Sequence, residues 1–230
     1  MPDLNFWNER WETGKIAFHQ SDIHFSLTEF AEKFFDRKSE GNILVPLCGK
    51  SKDMIFLLSL NYKVFGIEFS KIAVESFFLE AKLNYRVEKL SENENIYYSN
   101  NIIIFQGDLF NARKYSSVLE ILNQTNYCYD RASMVAFNLK ERILYAKFIK
   151  ELPKLKLILT PLFDYGPRIP KKENEEVGPP FLVSENELQE LYQENFKIEL
   201  LKEKQLNVRE NLLKEGITFE KEKVYLLGRK

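Results

Sequence analysis

The sequence predicts a doubly wound α/β fold with a mostly parallel sheet, and three observations carry the prediction. Between Asn42 and Ser70 a strand, a glycine turn, a helix and a second strand ending on an acid follow one another. Short apolar runs then alternate with stretches of helical periodicity as far as Tyr192. The last two runs, at 196–201 and 224–227, have no strong helix signal between them, so they read as an antiparallel pair. Short continuous apolar runs are the pattern of strands buried on both faces of a parallel sheet, and parallel neighbours need helical crossovers.

The unit at Asn42–Ser70 organises the rest. Ile43, Leu44 and Val45 form its first strand, and Gly49 breaks it. Met54, Leu57 and Leu58 recur at helical spacing, and Val64–Ile67 form the second strand, which ends on Glu68. A glycine turn lets a ligand approach the backbone, and an acid at the end of the next strand can accept hydrogen bonds from both ribose hydroxyls. A pyrophosphate-binding turn would need G-x-G-x-x-G, whereas Gly49 stands alone after Pro46-Leu47-Cys48. The pattern therefore argues against a dinucleotide and leaves room for a nucleoside without phosphates, such as S-adenosyl-L-methionine (SAM). The plainer alternative is a surface acid beside an ordinary turn.

The first 25 residues form an aromatic arm, and both tryptophans of the chain lie in it. Trp7 and Trp11 are four apart and share a face on a helix. Phe6, Phe18 and Phe25 add aromatic surface. The arm is either packed on the core or a lid whose rings attract a cation such as a sulfonium. His19 and His24 have no third ligand candidate nearby, so no metal is expected. Ser26-Leu27-Thr28-Glu29 has the form of a capping box. Leu27, Phe30, Ala31, Phe34 and Phe35 then mark one helical face. After Glu68, Ser70 caps a helix through about Lys82. Residues 84–101 are polar and read as loop, with at most a short strand at Ile96–Tyr98.

Ile102–Phe105 is the next strand, and Asp108 and Leu109 follow it closely. Asp108 either bonds an adenine amino group or caps the next turn. Tyr127–Asp130 is the fourth strand, with Arg131 just past it. Arg131 either meets a carboxylate or developing anion, or pairs with Asp130. Leu139, Ile143, Ala146 and Ile149 mark a helix that Pro153 stops, and Leu155–Leu162 is the fifth strand. Gly166–Pro180 is a charged, proline-rich segment, read as a surface loop or a cover over the site. Ser184–Glu187 is a second S-x-x-E cap, opening a helix with Leu188, Leu191 and Tyr192.

Composition bounds the function. The chain has 230 residues, 44% hydrophobic and 29% charged, with a net charge of −1. One globular domain over residues 1–230 is expected, with residues 1–25 as its aromatic arm or lid. No basic stripe points to nucleic acid, and no apolar run is long enough to cross a membrane. The start of the chain lacks the pattern of a secretory signal, and two cysteines make no disulfide framework. A cytoplasmic monomer is the default.

The order of seven strands, with an antiparallel end, resembles the Rossmann-like sheet of class I SAM-dependent methyltransferases. More specifically, the chain resembles the short bacterial thiopurine S-methyltransferases. The resemblance lies in F-W-N-E-R-W with G-K-I-A-F-H-Q (Phe6 to Gln20), V-P-L-C-G-K-S-K-D-M (Val45 to Met54), G-I-E-F-S (Gly66 to Ser70), Y-D-R-A-S-M-V-A (Tyr129 to Ala136), G-P-P-F-L-V (Gly178 to Val183) and K-V-Y-L-L (Lys223 to Leu227). It implies that Trp7 and Trp11 cover SAM, that Leu47 and Gly49 contact its methionine part, and that Glu68 holds the ribose. It further implies that Asp108 and Leu109 flank the adenine, that Arg131 contacts the cofactor and faces the acceptor, and that Phe18 lines the acceptor pocket. The implied reaction carries the SAM methyl group to a thiol sulfur and leaves S-adenosyl-L-homocysteine. Its partner is a small thiol or chalcogen substrate. Alternative acceptors are selenium or tellurium oxyanions, halide and thiocyanate. Outside methyl transfer, the alternatives are an NAD-dependent oxidoreductase, which the missing G-x-G-x-x-G opposes, and a SAM-binding protein without turnover.

Overall fold

The computed structural model describes residues 4–35, 41–165, 178–214 and 216–230. Most of the expected cover segment, residues 166–177, lies outside the described residues. The chain divides into two compact units. The first runs up to Tyr129 and takes in Leu152–Leu155, and the second comprises Asp130–Glu151 and Lys156–Lys230.

The first unit begins with α1 (Leu4–Glu12), α2 (Phe25–Phe34), β1 (Asn42–Pro46), α3 (Asp53–Ser59), β2 (Lys63–Glu68) and α4 (Lys71–Glu80). It continues with β3 (Arg86–Lys89), β4 (Asn95–Ser99), β5 (Ile102–Gln106), a 3-10 turn at Leu109–Lys114, α5 (Ser116–Asn123) and β6 (Thr125–Tyr129). Its strand order is β3-β4-β5-β2-β1-β6. The four strands β5, β2, β1 and β6 are parallel, while β4 runs antiparallel to both its neighbours, β3 and β5. Ile43, Leu44, Phe65, Ile67, Ile104, Phe105, Tyr127 and Cys128 are each at most 1% exposed, which is why these strands read as unbroken apolar runs. The order reverses at β1, since β2 and β5 lie on one side of it and β6 on the other. Ligands of such sheets bind at the carboxyl ends beside that reversal. The strand-end positions there are held by Pro46, Glu68, Gln106 and Tyr129.

Two sequence expectations in this unit need correction. Residues 86–99 are a hairpin: the short strand expected at Ile96–Tyr98 lies within β4, but β3 stands where a loop was expected. Arg86–Lys89 is an exposed strand at the end of the strand order, and its charges blunt an edge that would otherwise invite pairing, so no apolar run announces it. The cap of α2 is His24 rather than Ser26, because the imidazole accepts the Ser26 N–H and Ser26 has become the second helical residue. Ser70 does cap α4 through the Ala73 N–H.

The second unit holds a 3-10 turn at Met134–Ala136, α6 (Leu139–Lys150), β7 (Leu157–Tyr165), α7 (Glu185–Tyr192), β8 (Phe196–Leu206), a short α8 (Glu210–Lys214) and β9 (Glu220–Arg229). Its order is β7-β9-β8, with the last strand inserted antiparallel to both neighbours. The described residues thus carry nine strands rather than seven, the additions being β3 and β4. Ser184 caps α7 through the Glu187 N–H at 3.1 Å, as the S-x-x-E pattern predicts. The inward face of α6 differs from expectation. Ala146 and Ile149 are buried, but Leu139 and Ile143 are 47% and 52% exposed. Arg142 takes the inner position, where Nε donates to Met134 O at 3.0 Å and Nη2 to Phe137 O at 2.8 Å. Nη1 donates to Leu182 O at 3.4 Å and pairs with Glu187.

Candidate active site

The turn after β1 is held in a conformation that L side chains resist. Leu47 has φ +46° and Gly49 φ +51°. Left-handed backbone is free to glycine and costs a branched residue about 1–2 kcal/mol, so Leu47 stores strain at this turn. The turn also lies close to its surroundings. A Cβ on Gly49 would sit 3.2 Å from Trp11 Cζ2, and one on Gly66 only 2.8 Å from Cys48 Sγ. Gly66, in the middle of β2, therefore lets the turn fold against the strand.

Glu68 faces this turn. Its Oε2 accepts the Gly49 N–H at 2.8 Å and its Oε1 accepts the Ser70 N–H at 2.8 Å. The residue is 8% exposed. Among the described residues it is held by backbone N–H groups rather than by a cation. Burial pushes its carboxyl above the ordinary value, and the bonds from Ser70 and Gly49 pull it back. A carboxylate offers about four acceptor directions. The Gly49 and Ser70 N–H groups use two of them, and the Phe69 N–H also pulls the carboxyl down, which leaves room for a further donor such as a ribose hydroxyl. The sequence-predicted pair of Gly49 and Glu68 is thus brought together directly. The neighbouring Cys48 thiol is pushed well up by burial and by the Glu68 charge, which disfavours its thiolate.

The aromatic arm lies against the same turn. Trp7 and Trp11 share one face of α1, and both meet Phe18 edge-on, with ring centroids 5.3 Å and 5.5 Å away. Trp11 is 9% exposed and covers Gly49, whereas Phe18 is 39% exposed. The arm is anchored at its far end by polar contacts that sequence reasoning missed. The His24 N–H donates to Asp53 Oδ1 at 2.8 Å, and His24 Nδ1 lies 2.8 Å from Ser26 Oγ. Ser26 Oγ lies 3.3 Å from the Tyr129 hydroxyl. Asp53 is fully buried in the first turn of α3, directly after the glycine turn. The only sequence hint was the presence of a histidine beside the aromatics.

At the end of β5, Asp108 acts as a cap, its Oδ1 accepting the Phe110 N–H at 3.0 Å. Leu109 is 3% exposed. Arg131 belongs to the second unit, two residues past β6 in sequence. Its neighbour Asp130 is buried and accepts the Tyr145 hydroxyl at 2.7 Å and the Ser133 N–H at 3.3 Å. Burial pushes the Asp130 carboxyl upward, against the pull of those bonds. No group of three metal-ligating side chains occurs among the described residues. No described helix is long and apolar enough to cross a membrane.

A parallel sheet with a switch point, a lone-glycine turn and a buried acid at the end of the next strand form the pattern of the class I SAM-dependent methyltransferase fold. Solved structures agree on the fold. The SAM-bound magnesium protoporphyrin IX methyltransferase of Synechocystis matches with a TM-score of 0.59 at 11% identity, covering 100% of this chain and 98% of that one. A SAM-dependent methyltransferase of Anabaena variabilis matches at 0.58 and 13% identity, covering 100% and 97%. Within the class, the family model described as thiopurine S-methyltransferase matches residues 2–230. A thiopurine S-methyltransferase of Vibrio atlanticus is 33% identical over 230 residues, 99% of this chain and 98% of that protein. The chain belongs to the thiopurine S-methyltransferase family.

Proposed function

We propose that this chain methylates the sulfur of thiopurines or other aromatic and heterocyclic thiols. The observation that carries the reading is the Glu68 carboxylate, held by the Gly49 and Ser70 N–H groups beside the turn that Trp11 covers. SAM supplies a sulfonium-bound methyl group as the electrophile. Glu68 would hold the ribose, Leu47 and Gly49 the methionine part, and Asp108 with Leu109 the adenine. Trp7 and Trp11 would cover the cofactor and favour its positive charge through their ring faces. Phe18 would line the acceptor side, which suits its exposed ring.

The chemistry asks little of a general base. Thiols of electron-poor heterocycles are acidic, so much of the acceptor is already thiolate near neutral pH. Arg131 would stabilise that anion, and the site would act mainly by alignment of nucleophile and methyl group. The assignment of Arg131 rests on the family resemblance of Tyr129–Ala136. The test is transfer of labelled methyl to 6-mercaptopurine, with SAM binding followed by calorimetry. Transfer supports the thiol reading. Binding without transfer to this thiol overturns it and directs the search to selenium, tellurium or halide acceptors.

A further inference from the structure

Gln106 ends β5 and is 5% exposed, and both ends of its amide are engaged. Nε2 donates to Phe69 O at 2.9 Å and to Asn93 O at 3.2 Å. Oε1 accepts from Asn95 Nδ2 at 2.7 Å. The Phe69 carbonyl and the Ser70 N–H belong to one planar peptide unit. Its oxygen is gripped by Gln106, and its N–H holds Glu68 Oε1 at 2.8 Å. Fixing one end of a rigid plane fixes the other. Next in the chain, the Gly107 N–H donates to Glu68 O at 2.9 Å. Glu94, in the β3–β4 turn, accepts from Asn111 Nδ2 at 3.1 Å and from the Tyr115 hydroxyl, and so braces the 3-10 turn that Asp108 caps.

We propose that Gln106 is a positioning residue for the nucleoside half of the site, setting the Glu68 carboxylate through the Phe69–Ser70 peptide and tying it to the β3–β4 hairpin. This rests on the nucleoside reading of Glu68. The hairpin thereby gains a role: it is the outer wall that supplies the Asn93 and Asn95 partners. Glutamate is nearly isosteric with glutamine but carries no N–H. In Gln106→Glu the side chain turns oxygens toward two carbonyl oxygens and leaves the peptide plane unheld.

The test measures SAM affinity by calorimetry, steady-state kinetics and thermal stability in wild type, Gln106→Glu and Gln106→Met. The methionine variant removes the amide without adding charge, so it keeps the test readable if the glutamate variant fails to fold. The expected result is a rise of about tenfold or more in Kd and KM for SAM. The acceptor KM and the kcat at saturating SAM stay within about twofold, because no acceptor-side group is touched. The acid midpoint of SAM binding also moves upward, since the Ser70 N–H bond holds the Glu68 carboxyl down. Unchanged SAM affinity in a folded variant overturns the inference alone. So does a loss shared equally by SAM and acceptor, which marks a merely structural residue. Wild type that fails to bind SAM overturns the nucleoside reading, and this inference with it.

Discussion

Glu68 combines burial with a charge that, among the described residues, is held by backbone N–H groups. Its folded carboxyl lies above the ordinary value of 4.5. Between those two values the native state binds more protons than the unfolded chain. The stability Glu68 contributes is therefore full below about 4.5 and is lost as pH rises through the folded value. Ligand affinity runs the other way. If Glu68 holds the ribose as proposed, the hydroxyls favour the carboxylate, and SAM binding is expected to weaken as pH falls through the raised value. Glu68→Gln is expected to weaken SAM binding by about 10- to 100-fold, the range for losing charged hydrogen bonds worth roughly 1.5–3 kcal/mol. It also flattens the acid limb, and calorimetry from mildly acidic to neutral pH checks both effects. At Arg131 the expectation is separate. Arg131→Ala lowers turnover about 10- to 100-fold while stability changes by only about 0.5 kcal/mol. A kinetic assay paired with urea unfolding distinguishes that outcome from simple destabilisation.

Among the elements, α6 depends on a side chain that apolar periodicity cannot reveal. Arg142 is fully buried and satisfies three carbonyls besides pairing with Glu187. Arg142→Met leaves those carbonyls and the carboxylate without their donor. Removing one partner of a buried pair typically costs about 3–5 kcal/mol. An unfolding free energy lowered by that much, seen as a lower urea midpoint at unchanged m-value, is the expected reading. The same residue shows why part of the molecule was illegible. Leu139 and Ile143 advertised the wrong face of the helix, because a charged residue reads as solvent-facing until its partners are known. His24 hid its capping role for a similar reason, since Ser26 was the more familiar cap and lay nearby. β3 was lost because an edge strand built of Arg86, Glu88 and Lys89 has no apolar signature. By contrast β1, the Gly49 turn, β2 and Glu68 were legible. Burial on both faces and a lone glycine leave marks in composition. Gln106 lies between these cases: its position at a strand end was readable, but the peptide it grips was not.

At the scale of the whole molecule, native-state binding should appear as stability. SAM at about 100 times its Kd is expected to add roughly 2.7 kcal/mol. In a chain of this size each kcal/mol raises Tm by about 2–4 °C, so thermal unfolding should move up by about 5–10 °C. NADH at equal concentration should leave it unchanged, and a shift with NADH alone would instead favour the oxidoreductase alternative. The distribution of aromatic residues offers a second readout. The chain has two tryptophans, and both stand on α1, with Trp11 seated on the Gly49 turn. Nearly all light emitted on excitation at the red edge of the ultraviolet band therefore comes from one helix. This protein carries its own optical gauge, which registers events at the Gly49 turn and is blind to most of the sheet.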